Sequence, residues 1–281
     1  MRFEKCAAAN QEMKQYPRII SKLFYEPVLI TPQKHGAICQ VVEAHMSGHL
    51  AATENETPSD HDSSMESIGK TAIIPIHGII DQHIPDSPSG GDGCDLAKLR
   101  DMISIAESDP TISRVLFDFR TPGGSVTGVR ETADKILKMT KETVAFTDDQ
   151  CCSAGIWLAS QCQRFYSTAS ASVGSVGVWC AYMDISRQMA NSGENMQVFF
   201  AGKHKLLGAY WRPMSDEEKA IVQRGVDKIY FQFKSAMNEQ RAVSDEHCGN
   251  GLVFDGEEAA QLGFTDGVVD SVEDVLEMED Y

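Results

Sequence analysis

The sequence predicts an α/β protein in which a mostly parallel sheet is covered by helices, with a small N-terminal element ahead of it. Three observations carry this. Short apolar runs recur at TAIIPIHGII from Thr71, at 115–120 and at 144–147, with the length and density of strands buried on both faces. Segments with helical spacing lie between them, at 95–107 and from TPGGS (121–125) to about residue 140. Strands that alternate with helices need crossover connections, and crossovers produce parallel pairs.

Taken in order, residues 16–50 mix apolar and polar side chains around Pro17, Pro27 and Pro32, and the spacing then predicts a helix over 34–46. Residues 1–50 read as an N-terminal helical element. Residues 51–68, beginning AATENETPSDHDSS, hold almost nothing apolar to offset the entropy of ordering, and read as a flexible acidic linker. The third segment, 69–281, holds the core. Within it 81–93 is a loop rich in Pro, Gly and Asp, 163–167 and 173–179 are further strands, 183–192 is a helix and 196–200 a strand. Ser215 with Glu218 forms a capping-box pattern that opens a long helix to about Arg241, and 255–262 and 271–278 are two more short helices.

Composition removes several classes of function. A net charge of −16 over 281 residues argues against a nucleic-acid groove or an anionic membrane surface as partner. No apolar run reaches the roughly 20 residues of a membrane span, and the charged N-terminus lacks the apolar centre of a signal peptide. No membrane anchor is expected, and the cytoplasm is the expected location. The eight cysteines, with Cys151 and Cys152 adjacent, form no compact disulfide framework and fit a reducing compartment. Cys151, Cys152 and Cys162 also lack the paired spacing of a metal site, so neither a metal nor another cofactor is expected.

Ser153 stands between the apolar run at 143–147 and a helix-compatible segment at 155–160. A serine at a strand-to-helix turn has its hydroxyl exposed and its neighbouring amides pointing outward, which suits a nucleophile; the plainer alternative is a helix cap. Upstream, Pro122 fixes its own φ, while Gly123 and Gly124 carry no side chains, so their amides can approach a ligand oxygen. At the mouth of the helix expected there, those amides would meet the positive end of its dipole and hold an oxyanion; the alternative is a plain turn. Both places fall at the carboxyl ends of strands, where open α/β sheets put their chemistry.

A serine nucleophile needs a base. The candidates are His77, His83, His204 and the lysines beside it. Histidine titrates near neutrality, whereas a lysine, ordinarily near 10.4, needs burial worth roughly 4 to 5 kcal/mol to act at pH 7. Leu206, Leu207 and Trp211 could supply such a setting for Lys205, so the residues alone leave His204 and Lys205 level. His77 and His83 read more simply as strand-end and loop residues. Cys152 reads as a small buried residue, with a thiol nucleophile as a rival, and Trp157, Trp179 and Trp211 as core or pocket wall.

TPGGSV, CSAGIWLAS, ASVGSVGV, AGKHKLLGA and RPMSDEE, in this order and spacing, resemble the signal peptide peptidase A family of serine/lysine peptidases over most of 71–272. The resemblance implies acyl transfer to a serine on a crotonase/ClpP-like fold, with 69–281 as the peptidase domain. By motif, Ser153 matches the nucleophile, Lys205 (the second lysine of KHK) the general base, and Ser175 the serine that orients that lysine. Gly123 and Gly124 match the oxyanion hole. Ala154 stands where the family usually has glycine, and Ile156 and Trp157 where it has aromatic neighbours, which leaves the nucleophile intact and alters the pockets around it.

The stretch YPRIISKLFYEPVLITPQKHGAICQVVEAH (16–45) further resembles the leader of the phage and prophage branch, the capsid-assembly or head-maturation peptidases. That branch implies scaffold, portal or coat proteins as substrates, cleaved in the host cytoplasm or inside an immature shell. It also implies a homo-oligomer in which serine and lysine can come from neighbouring subunits. No fused C-terminal scaffold is expected. The alternatives are a cytoplasmic protease of the signal-peptide-peptidase kind, a crotonase-like acyl-CoA enzyme and a catalytically silent capsid protein.

Overall fold

The structure, a computed structural model, describes residues 26–32, 35–36, 39–40, 64–84 and 93–278. Its strands in chain order are β1 (Val28–Ile30), β2 (Glu66–Ile68), β3 (Thr71–His77), β4 (Ile79–Asp81), β5 (Gly93–Asp95), β6 (Arg114–Arg120), β7 (Gly123–Ser125), β8 (Glu142–Thr147), β9 (Gln150–Cys152), β10 (Arg164–Ser167), β11 (Ser172–Gly174), β12 (Val253–Phe254) and β13 (Gly267–Val268). Its helices are α1 (Leu96–Ser108), α2 (Val129–Leu137), α3 (Ala154–Ala159), α4 (Ser186–Asn191), α5 (Asp216–Gln240), α6 (Gly256–Gln261) and α7 (Val272–Glu277). The chain divides into two compact units, one of 29–177 with 230–281 and one of 1–28 with 178–229.

The larger unit is a mixed α/β structure with parallel sheets. Its main sheet has the order β13-β10-β8-β6-β3-β2, parallel throughout except for β2, which pairs antiparallel with β3 at the edge. β6 sits near the middle, and Val115, Leu116, Phe117 and Phe119 are all fully buried, as a strand covered on both faces requires. Each main strand β3, β6, β8 and β10 runs on within a few residues into a short one, β4, β7, β9 and β11 respectively. The short strands make two small sheets, ordered β1-β7-β4-β5 and β12-β11-β9, so the loops at the carboxyl ends of the main strands are themselves hydrogen-bonded.

Two buried arginines fasten the covering helices. Arg114, at the start of β6, pairs with Glu142 (Nε to Oε2, 3.0 Å) and donates to the carbonyls of Val275 and Met278 at the end of α7. Arg241, just past α5, pairs with Asp266 at 2.7 Å and donates to the carbonyls of Ser160 and Cys162, which close α3. A buried guanidinium whose donors meet a carboxylate and carbonyls is tolerable because those donors are matched. The second of these arginines holds the helix that follows Ser153.

Several expectations are met closely. The helix expected from Ser215 is α5, and its capping box forms: Ser215 N–H donates to Glu218 Oε2 (2.9 Å) and Glu218 N–H to Ser215 Oγ (3.2 Å). His35, Gly36, Cys39 and Gln40 are helical, as expected within 34–46, whose residues 34, 37, 38 and 41–46 lie outside the described part. So do residues 1–25, most of the stretch read as linker, and 85–92 of the Pro/Gly/Asp loop.

Others differ. Glu66–Ile68, inside the stretch read as linker, is the edge strand β2. The TPGGS segment does not open a helix: Gly123–Ser125 is strand β7, and α2 starts only at Val129. Residues 196–200 form no strand, and Phe199 is 95 % exposed there. An apolar run becomes a strand only where a neighbour takes its hydrogen bonds, and none does so there among the described residues. Likewise 173–179 is regular only through Gly174, because Ser175 has φ 57°, a left-handed value that ends an extended strand.

Candidate active site

Ser153 joins β9 to α3 with φ 54° and ψ −112°. Among the described residues it and Ser175 are the two non-glycine residues with positive φ. Such a backbone costs about 1–3 kcal/mol at a residue with a Cβ, and it persists only where the surroundings over-determine it. Here they do. Cys152 N–H donates to Thr121 O (3.1 Å), Ser153 N–H to Gly174 O (2.9 Å) and Trp157 N–H to Ser153 O (3.1 Å). Helix α3 is buried along its whole length, and Trp157 stacks on Phe233 with ring centroids 4.7 Å apart, a core residue as expected.

The Ser153 hydroxyl makes no cap bond to α3, so the plain cap does not explain it. Nor is it exposed, as a turn serine was expected to be: Ser153 is 1 % accessible. The reason is the glycine segment packed on it, since a Cβ placed on Gly123 would lie 2.9 Å from the Ser153 Cβ. That same Cβ would meet Leu29 O at 2.0 Å, and one on Gly124 would meet Ile80 O at 1.8 Å. Only side-chain-free backbone fits between these strands.

The Gly123 and Gly124 amides therefore belong to a strand rather than a helix mouth, and the dipole of α2 does not bear on them as expected. Gly123 N–H donates to Thr121 Oγ1 at 3.1 Å. Thr121 is wholly buried and was passed over in the sequence. Its backbone bonds both flanks of Cys151, through Thr121 N–H to Gln150 O (2.7 Å) and Cys152 N–H to Thr121 O. Its methyl occupies the space over Gly155, where an added Cβ would come within 2.5 Å of it. The signal was a β-branched residue with a hydroxyl directly before Pro-Gly-Gly. The strand β1 was missed too, although VLI between Pro27 and Pro32 marks a short strand; Thr31 N–H donates to Pro122 O at 3.3 Å beside it.

Ser175 follows Gly174, whose carbonyl takes the Ser153 N–H, and its own N–H donates to Leu252 O at 2.6 Å. Ser153 and Ser175 are thus joined through the Gly174 carbonyl, and Gly123 lies against Ser153, all in the larger unit. Lys205 lies in the other unit, in the run of turns 202–207, with its side chain exposed. Leu206 and Trp211 are half-buried and Leu207 is exposed, so these neighbours do not form the dry setting expected of them. A run of turns has no continuous face to bury a lysine against.

The other candidates are otherwise engaged. His77 Nε2 lies 2.8 Å from Asp118 Oδ2 at the ends of β3 and β6, in a cluster continued by Arg120 and Asp148. His83 is exposed, and His204 lies 3.9 Å from Glu217. Burial first, and Asp149 second, push the Cys152 thiol up to about 12, and its Sγ donates to Ser172 O. At neutral pH it is a protonated thiol and a poor nucleophile. Among the described residues no three of His, Cys, Asp or Glu come together to hold a metal ion, and no helix is long and apolar enough to cross a membrane.

A serine locked on a strained turn after a strand, with bare backbone packed against it, is the construction used by serine-nucleophile enzymes on α/β folds. The chain belongs to peptidase family S49, whose profile matches residues 135–280, just over half of its length. It is similar to the capsid assembly protease C of Escherichia phage lambda, 25% identical over 300 residues that cover 96% of this chain and 66% of that protein. It is also similar to the head-tail preconnector protein GP5 of Enterobacteria phage P21, 25% identical over 90% of this chain and 55% of that one. The chloroplastic serine protease SPPA of Arabidopsis thaliana is 26% identical over 60% of this chain and 31% of its own length. The chain spans about half to two thirds of the length of the two phage relatives.

Proposed function

We propose that this chain is a serine endopeptidase that processes capsid-assembly proteins, with Ser153 as nucleophile and Lys205 as general base. The observation that carries the reading is the pair of strained serines: Ser153 and Ser175 adopt positive φ and meet through the Gly174 carbonyl. Strain of that kind is retained where geometry matters more than stability. The match to a phage capsid assembly protease over nearly the whole chain supports scaffold, portal or coat proteins as substrates, met in the host cytoplasm or inside a procapsid. The pairing of each long parallel strand with a short one and a helix supports a crotonase/ClpP-like fold.

In the proposed mechanism neutral Lys205 takes the proton from Ser153 Oγ, which attacks the peptide carbonyl carbon. The oxyanion is held by the Gly123 and Gly124 amides, the first of which turns its N–H from Thr121 Oγ1 to the new oxygen. The Lys205 ammonium returns the proton to the leaving amine, and water then releases the acyl group by the same base. Ser175 steers the lysine amine. A lysine can serve as base only when desolvated, so a surface must close over Lys205, and a neighbouring subunit of a homo-oligomer is the proposed source. The test is cleavage of coat, scaffold or portal protein from the same genome, read by mass spectrometry. Ser153→Ala and Lys205→Ala should each abolish processing, and full processing by either would defeat the reading.

A further inference from the structure

The segment carrying Lys205 is a chain of turns: Lys205 N–H donates to Gly202 O, Leu207 N–H to His204 O and Ala209 N–H to Leu206 O, each at 3.1 Å. Beside it is an open pocket of about 330 Å³, lined among others by Phe200, Lys203, Leu206, Arg212 and Glu218. Exposed turns beside an open pocket have little packing to hold them. Side chains hold them instead: Tyr182 Oη donates to Ala209 O (2.7 Å), Lys203 Nζ pairs with Glu217 Oε1 (2.5 Å), and Arg212 acts at the residue after Lys205. Arg212 Nη2 reaches back six residues to donate to Leu206 O (2.8 Å), the carbonyl that ends the residue next to Lys205. The same guanidinium forks onto Glu218, through Nη1 to Oε2 (2.9 Å) and Nη2 to Oε1.

Glu218 is 6 % accessible, the buried carboxylate that also closes the capping box of α5 with Ser215. The box is complete without Arg212, so helix capping does not account for the arginine's contact with Leu206. We infer that Arg212, oriented by Glu218, is the positioning residue for Lys205: it ties the lysine's turn to the first residues of a long helix through the Leu206 carbonyl. This rests on the reading of Lys205 as the base. A fork with four matched acceptors, Pro213 O (3.2 Å) among them, is a job for a planar guanidinium, and an ammonium at the same place can keep the ion pair but not both prongs.

Arg212→Lys in the full chain separates positioning from charge. Hydrolysis of dye-quenched casein should show kcat lowered about 10- to 100-fold with KM within about twofold, because a small misplacement of a catalytic group costs rate and not binding. The melting temperature should stay close to that of the unaltered chain. Glu218→Gln, which keeps an acceptor for Ser215, should lower kcat in the same sense by less. Unchanged kcat in Arg212→Lys overturns the inference, and so does a loss of kcat matched by a loss of folded protein. Lys205→Ala run beside them keeps the two claims apart: activity surviving there overturns the base assignment itself, whatever Arg212→Lys does.

Discussion

The turn at Ser153 and the turns around Lys205 are built on opposite plans. The first is buried, strained and held by backbone bonds from two neighbouring strands, with glycines wherever those strands come too close for a side chain. The second is exposed, unstrained at its lysine and held by a few charged side chains. In the proposed mechanism the nucleophile sits on the buried turn, whereas the proposed base, Lys205, has its side chain exposed. An exposed lysine stays protonated at neutral pH, so the proposed base requires that its side chain be covered.

The largest effect should separate the two residues by role. Ser153→Ala should lower turnover by roughly 10⁶-fold, the size seen for a lost nucleophile, and Lys205→Ala by roughly 10²- to 10⁴-fold, the contribution of a positioned proton transfer. Equal losses from both would blur the contrast; a milder loss from the serine would break it.

The glycines offer a second contrast, read by thermal or chemical melts. Gly123→Ala should destabilise by roughly 3–5 kcal/mol, since its Cβ would sit 2.0 Å from Leu29 O at a residue with φ 100°. Gly208→Ala, with φ 76° and nothing within 4 Å of the added carbon, should cost only about 1–2 kcal/mol. Ser153→Gly should do the reverse, stabilising by about 1 kcal/mol while removing activity, because glycine relieves the φ that serine endures. If Ser153→Gly melted no higher than Ser153→Ala, the turn would not be storing strain.

The smallest effect concerns the lysine's turns and is set by pH. The Arg212 side chain, and after it the Ser215 N–H, hold the Glu218 carboxyl down to about 2 from 4.5. A carboxylate lowered by folding contributes stability above its unfolded value and loses it as the pH falls through the folded one. Glu218→Gln should therefore melt below the unaltered chain at about pH 6, with the gap narrowing as the pH drops below about 4.5 toward 2. A gap constant across that range would remove the charge from the account.

Much of the larger unit was legible because its signals are local. β6, β8 and β10 are apolar runs that reappear within a residue or two of their expected bounds, the run from Thr71 divides at Gly78 into β3 and β4, and α5 announces itself through Ser215 and Glu218. The glycine pair and Ser153 were legible as places where backbone must come close or turn sharply. What the sequence hid depends on partners distant along the chain. Gly123–Ser125 is a strand because β1 and β4 flank it, and nothing in TPGGS says so. Ser153 is buried because Gly123 lies on it, and Thr121 matters only once β9 runs alongside. Phe199 was expected in a strand for its apolar neighbours, yet a run of apolar residues states only that burial is favourable and not where the cover comes from.

The proposed division of labour between the two turns is tested most directly by treating the purified protein with a peptide phosphonate at neutral pH and mapping the adduct by mass spectrometry. The account predicts one adduct, on Ser153, forming at least 100-fold more slowly in Lys205→Ala. An adduct on Cys152, or labelling of Ser153 at the same rate without the lysine, would contradict it.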